Sequence, residues 1–197
     1  VGGNVEVGQT TLNTLKIWEM LELDIPVAAG AKQPLIVPLN PAPYVHGDDG
    51  LGNTFLSAPK NGPSEESAVE MILRLSHEYA GELTLLTTAP LTNIAVALLH
   101  DPDLAKRIRK VVIMGGSVFT GNVSAVAEAN IANGPEAARI VFRSGMEMTL
   151  VGLDVTHEVY WEEHDLQDLV KIANERSAFL LQIIGFISTA YESLSGW

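Results

Sequence analysis

Two hydrophobic rhythms alternate along the chain. Short, mostly apolar runs at residues 25–29, 83–88, 111–114 and 148–153 have the length and β-branched content of buried strands. The longer segments between them repeat at helical spacing. Leu12, Leu15, Trp18 and Leu21 recur every three residues and mark one face of a helix. Val69, Ile72, Leu73 and Tyr79 do the same in a segment that opens on Pro63-Ser64 and Glu65-Glu66, a favourable helix start. The pattern predicts further helices over 91–100, 135–142 and 162–173, and a long last one over 177–194.

Strands that alternate with helices imply βαβ units. The predicted class is therefore α/β, a Rossmann-related open and mostly parallel sheet with helices on both faces, as a single domain over residues 1–197. Residues 32–63 break the rhythm. They hold six of the ten prolines, which argues against regular helix and for a long ordered loop. In an open α/β sheet, ligands bind beyond the carboxyl ends of the strands. The stretches that follow the predicted strands are Thr88-Ala89-Pro90, Met114-Gly115-Gly116 and Asp154-Val155-Thr156. Val1-Gly2-Gly3-Asn4 reads as the end of a further strand. All four stretches should meet at one edge of the sheet.

Composition narrows the field. Hydrophobic residues make up 47% of the 197 and charged residues 18%, enough apolar content for a buried core. Lys+Arg is 12 and Asp+Glu is 24, a net charge of −12 that repels a phosphate backbone and argues against nucleic acid as a partner. With no cysteine, disulfides, thiolate metal sites and cysteine nucleophiles are excluded together. The most apolar stretch, residues 179–187, is interrupted by Gln182 and too short for a membrane span, so no membrane partner is expected. The first residue is Val1 rather than Met, and the sequence is read as the central portion of a longer protein. A cytoplasmic location is the expectation.

Four segments carry candidate chemistry. Gly3-Asn4 joins a permissive backbone to an amide that both donates and accepts, although alone it is also ordinary turn chemistry. His46-Gly47-Asp48-Asp49-Gly50-Leu51-Gly52 lacks the spacing and closing Glu of an EF-hand. Met114-Gly115-Gly116 follows a strand but forms neither GxGxxG nor a Walker loop. Gly121-Asn122 and Ala127-Glu128-Ala129-Asn130 place two amides and a carboxylate between a strand and a helix, a set suited to a polyol whose hydroxyls both give and take hydrogen bonds. None of the five histidines stands at metal-ligand spacing, and no GxSxG elbow is present.

Taken in order, these segments resemble the inosine-uridine preferring nucleoside hydrolase family over nearly the whole chain. The resemblance rests on Gly3-Asn4-Val5, on His46 through Gly52, and on Leu91-Thr92-Asn93-Ile94-Ala95. It continues through Val112-Ile113-Met114-Gly115-Gly116, Gly121-Asn122 through Asn130, and Gly152-Leu153-Asp154-Val155-Thr156-His157. It implies a calcium-dependent N-glycosyl hydrolase of nucleoside salvage that cleaves ribonucleosides into free base and ribose. The alternative is an inactive nucleoside- or sugar-binding protein of the same fold. By the same resemblance, Thr88 offers its backbone carbonyl to Ca2+, Asn122 and Glu128 hold the 5'-hydroxyl end of ribose, and Asn4 and Asn130 bind its other hydroxyls. Met114 lies against the sugar, and His46 stands near the base pocket.

The implied reaction passes through an oxocarbenium-like transition state, with a metal-bound water as nucleophile and an aspartate as general base. The family's aspartate-rich motif would precede Val1, and its later His-Asp pair would follow Trp197. Relatives often carry an aromatic residue where Ala129 stands, and an acidic residue is more usual just before Pro135, where Asn133-Gly134 stand here. Assembly as a homo-oligomer, dimer or tetramer, is the implied quaternary state.

Overall fold

A computed structural model describes residues 1–195; Gly196 and Trp197, where the sequence ends, lie outside the described residues. In chain order the elements are α1 (Val7–Met20), α2 (Pro43–His46), α3 (Ala68–Glu78), β1 (Thr84–Thr87), α4 (Thr92–His100), α5 (Leu104–Arg107) and β2 (Lys110–Met114). There follow α6 (Ala129–Ala132), α7 (Pro135–Phe142), β3 (Met148–Val151), α8 (Leu153–Thr156), α9 (Glu163–Ile172) and α10 (Glu175–Ser195).

The strands form a parallel sheet in the order β1-β2-β3, with Leu85 opposite Val111 and Val111 opposite Met148. Sequential strands are therefore neighbours, each pair joined by helical crossovers, as βαβ logic requires. Central β2 buries Val111 and Ile113 on one face. Against that face lie Ile94, Ala95, Ala97 and Leu98 of α4 and Ala137, Ala138 and Val141 of α7. The alanines let the two helices approach closely, and α4 and α7 pack on each other. Covering of the sheet is less even than the α/β pattern predicts. On the opposite face Leu86 is 72% exposed, so the described helices cover that face only in part.

Several boundaries differ from the sequence reading for identifiable reasons. Residues 25–29 form no regular element and join no ladder among the described residues. Pro26 has no N–H to give, and the Val27 and Ala29 carbonyls accept instead from the Ser64 and Ala68 N–H groups at 2.8 and 2.9 Å. Helix α3 begins after Ser67 rather than after Pro63. The Ser67 hydroxyl accepts from the Glu70 N–H, and the Glu70 carboxylate accepts from the Ser67 N–H, a capping box that fixes the start. The proline-rich loop over 32–63 is interrupted by the single turn α2, which Pro43 opens at the first helical position. Within α10, Glu175–Leu194 is long and apolar enough to cross a membrane by length and composition alone. In this structure α10 packs on α2 and α9.

Candidate active site

The strand-end rule places the chemistry where the polar segments converge. Asn4, Thr88 and Asn130 line one cleft of about 240 Å3, together with Pro90, Gly50 and Leu51. Thr88 follows β1 directly. Asn130 belongs to α6 and reaches back to the end of β2, its Nδ2 donating to the Met114 carbonyl at 3.1 Å and lying 3.4 Å from the Met114 sulfur. Asn4 is exposed on the cleft, and its backbone carbonyl accepts from the Ala42 N–H at 2.8 Å. Gly3 makes the approach possible, because a Cβ at that position would sit 3.3 Å from the Pro90 ring.

Glu128 is 3% exposed and caps α6. Its Oε1 accepts from the Asn130 N–H at 2.9 Å. Its Oε2 accepts from the Gly116 and Ile131 N–H groups at 2.9 and 3.1 Å. One carboxylate thus ties the end of β2 to the start of α6, and Oε1 keeps a free lone pair. Asn122 accepts from the Ala129 N–H at 2.9 Å through Oδ1, which leaves its amide NH2 as a donor. Between these residues the loop closes on itself. The Gly121 N–H donates to the Ala125 carbonyl and the Asn122 N–H to the Ala127 carbonyl. A side chain at Gly121 would overlap the backbone of Ser124 and Ala127.

Met114, Asn122 and Glu128 adjoin Asn130 without lining the cleft themselves, and His46, at the C-terminal end of α2, is outside the lining as well. Burial holds its imidazole below its ordinary pKa, so it is neutral at physiological pH. Hard oxygen donors are the fitting ligands for a calcium-type cation. The Thr88 carbonyl takes no hydrogen bond from the described residues, and the amide oxygen of Asn130 shares its cleft. Among the described residues no three His, Asp or Glu side chains cluster to hold a metal. The donors here that fit such a cation are carbonyl and amide oxygens.

Two aspartates quoted in the sequence motifs without a role organise the loops around the cleft. Asp49 accepts from the Leu51, Asn53 and Phe55 N–H groups, each at 2.8 Å. Burial opposes its ionisation, but these three donors outweigh that and hold the carboxyl below its ordinary pKa. The Asp49 carbonyl in turn accepts from the Asn13 amide of α1 at 2.6 Å. Asp154, in α8, accepts from the Val118 N–H at 2.7 Å and the Phe119 N–H at 3.1 Å. The Val118 bond above all lowers its pKa. Asn93 and Asn133 act likewise, accepting from the Ala31 and Asn40 N–H groups. An Asp or Asn inside a Gly-rich turn was the available signal, but sequence does not reveal which distant N–H groups it meets.

Comparison with known proteins extends the geometry. The family described as inosine-uridine preferring nucleoside hydrolase matches residues 1–197. The chain is 40% identical to a uridine nucleosidase of Arabidopsis thaliana over 94% of its length and 56% of the relative's. It is 39% identical to a pyrimidine-specific ribonucleoside hydrolase of Salmonella typhimurium over 93% of its length and 60% of the relative's. A solved purine-preferring ribonucleoside hydrolase from Gardnerella vaginalis superposes with a TM-score of 0.94 at 32% identity, covering 98% of this chain and 63% of that one. The chain spans little more than half the length of the curated relatives it matches.

Proposed function

The chain belongs to the inosine-uridine preferring nucleoside hydrolase family, and from that premise we propose that the activity it serves is hydrolysis of the N-glycosidic bond of ribonucleosides to free base and ribose. The observation that carries the reading is the convergence of Asn4, Thr88 and Asn130, from three separate segments, on one cleft at the carboxyl end of the sheet.

In this reading the Asn130 amide is oriented by its bond to the Met114 carbonyl, so that Oδ1 faces ribose as an acceptor. Asn4 presents both halves of its amide to a second hydroxyl. The Asn122 NH2 and the spare lone pair of Glu128 receive the 5'-hydroxyl end, a donor and an acceptor for a group that needs both. Met114 gives an apolar wall, and His46, neutral, lies toward the base. Calcium, held in part by the Thr88 carbonyl, would when bound supply a water of lowered pKa and a grip on ribose hydroxyls. Fixed amides complementary to ribose favour a sugar strained toward the oxocarbenium geometry.

The deciding experiment follows free ribose released from inosine, uridine and cytidine by the full-length protein, with and without a calcium chelator. Release that stops on chelation and returns with calcium is the expected result. A folded protein that releases no ribose with calcium present would overturn the hydrolase reading in favour of nucleoside or sugar binding without turnover.

A further inference from the structure

The loop over residues 117–127 carries Asn122, whose Oδ1 accepts from the Ala129 N–H next to Asn130, yet apolar burial does not hold the loop in place. Phe119 is 84% exposed, and Val118 and Val126 are nearly as open. Its pose rests on polar anchors at its two ends. At the far end Glu128 accepts from the Gly116 N–H, and Asn122 accepts from the Ala129 N–H. At the near end the anchor is Asp154, brought from another element. Its Oδ2 accepts from the Val118 N–H at 2.7 Å and its Oδ1 from the Phe119 N–H at 3.1 Å, while the Ser117 hydroxyl lies 3.4 Å from both oxygens. Ser117 passes the restraint on, its Oγ accepting from the Thr120 N–H at 3.0 Å. The backbone reinforces the junction, since the Leu153 N–H donates to the Gly116 carbonyl at 3.0 Å.

We propose that Asp154 is a positioning residue for substrate recognition: by fixing residues 117–120 it sets the pose of Asn122, and so the grip on the 5'-hydroxyl end of the ribose. The inference rests on the hydrolase reading above and deepens it. Nothing in Asp154 needs to touch substrate. Two convergent backbone donors demand a group with two acceptor oxygens, and a carboxylate meets both at once. Asparagine has one acceptor and turns a donor toward the second N–H. Alanine has none, and leaves a loop whose Val118, Phe119 and Val126 are largely exposed free to move relative to β3.

The test compares uridine with 5'-deoxyuridine, both followed by sugar release, in the full-length protein and its Asp154→Ala and Asp154→Asn variants. Wild type is expected to prefer uridine by on the order of tenfold or more in kcat/KM, the worth of a well-placed hydroxyl contact. In Asp154→Ala that preference is expected to fall to about one- to threefold, through a raised KM for uridine and little change for 5'-deoxyuridine. Asp154→Asn, which keeps one of the two bonds and guards against a variant that fails to fold, is expected to fall between. A variant that loses activity on both substrates equally, or keeps the wild-type preference, overturns the positioning role while leaving the hydrolase reading intact. A wild type that turns over both substrates without preference overturns the 5'-hydroxyl assignment and this inference with it.

Discussion

The Glu128 carboxylate accepts three backbone N–H groups, one from the loop just after β2 and two from α6, while almost fully buried. Its removal strands donors at the end of β2 and at the first turn of α6. Glu128→Ala is therefore expected to cost about 1–3 kcal/mol of folding stability, the penalty of a lost cap and of buried donors without partners. In the full-length enzyme it should also lower kcat/KM, because the ribose contact disappears with the cap. Denaturant melts and nucleoside kinetics on the same variant check both halves. A folded variant of unchanged kcat/KM would leave Glu128 a purely structural residue, and an unchanged melting midpoint would deny it the cap.

Among the elements, the loop over 47–55 is closed by side chains, Asp49 above all, with Asn53 Oδ1 accepting from the Asp48 N–H at 2.8 Å. Asp49 closes it with three short bonds and fastens it to α1 through Asn13. Its carboxyl pKa is lower folded than unfolded, so its stabilisation is complete above the ordinary carboxylate value. That contribution is lost as pH falls through the folded value, below about pH 4. Asp49→Asn is expected to melt earlier than wild type by about 1–3 kcal/mol at pH 7, with the gap narrowing below pH 4. A gap that persists unchanged at pH 3 would mean that charge is not what closes this loop. Such anchors mark the limit of what the sequence made legible. Periodicity was enough for α4, α7 and the three paired strands, whose apolar residues meet in one core, and it found α1 although Leu12 of the predicted face is 43% exposed. It misread residues 25–29, whose apolar side chains resemble a strand while their carbonyls answer loop N–H groups. It also passed over the single turns α2, α5, α6 and α8, of which α2 is opened by Pro43 and α6 is capped by Glu128. The strand-end rule anticipated that the stretches holding Asn4 and Thr88 would share an edge, and they line one cleft; Asn130 was offered only by the family resemblance. The carboxylates that hold the neighbouring loops stayed hidden, since their partners lie on backbone that carries no residue signature.

For the molecule as a whole, the strand order equals the chain order. Residues 84–151 form a contiguous block in which β1, β2 and β3 pair in chain order and α4 packs on α7 across the sheet's covered face. Each crossover closes a loop of modest length, so the entropic cost of assembling the block is paid in similar small steps. Such a block should behave as one cooperative opening unit, with β2 at its centre paired on both sides. Native-state hydrogen exchange is expected to find the β2 amides, Val111 and Ile113 among them, the slowest in residues 1–195, while amides of the 117–127 loop exchange freely apart from those held by Asp154 and the bonds that close the loop. Faster exchange in β2 than in α9 would contradict this. The consequence reaches the cleft: Thr88, which lines it, and Met114, which holds Asn130, are borne by the last part of the molecule to loosen, and the residues that must adapt to a ligand by the first.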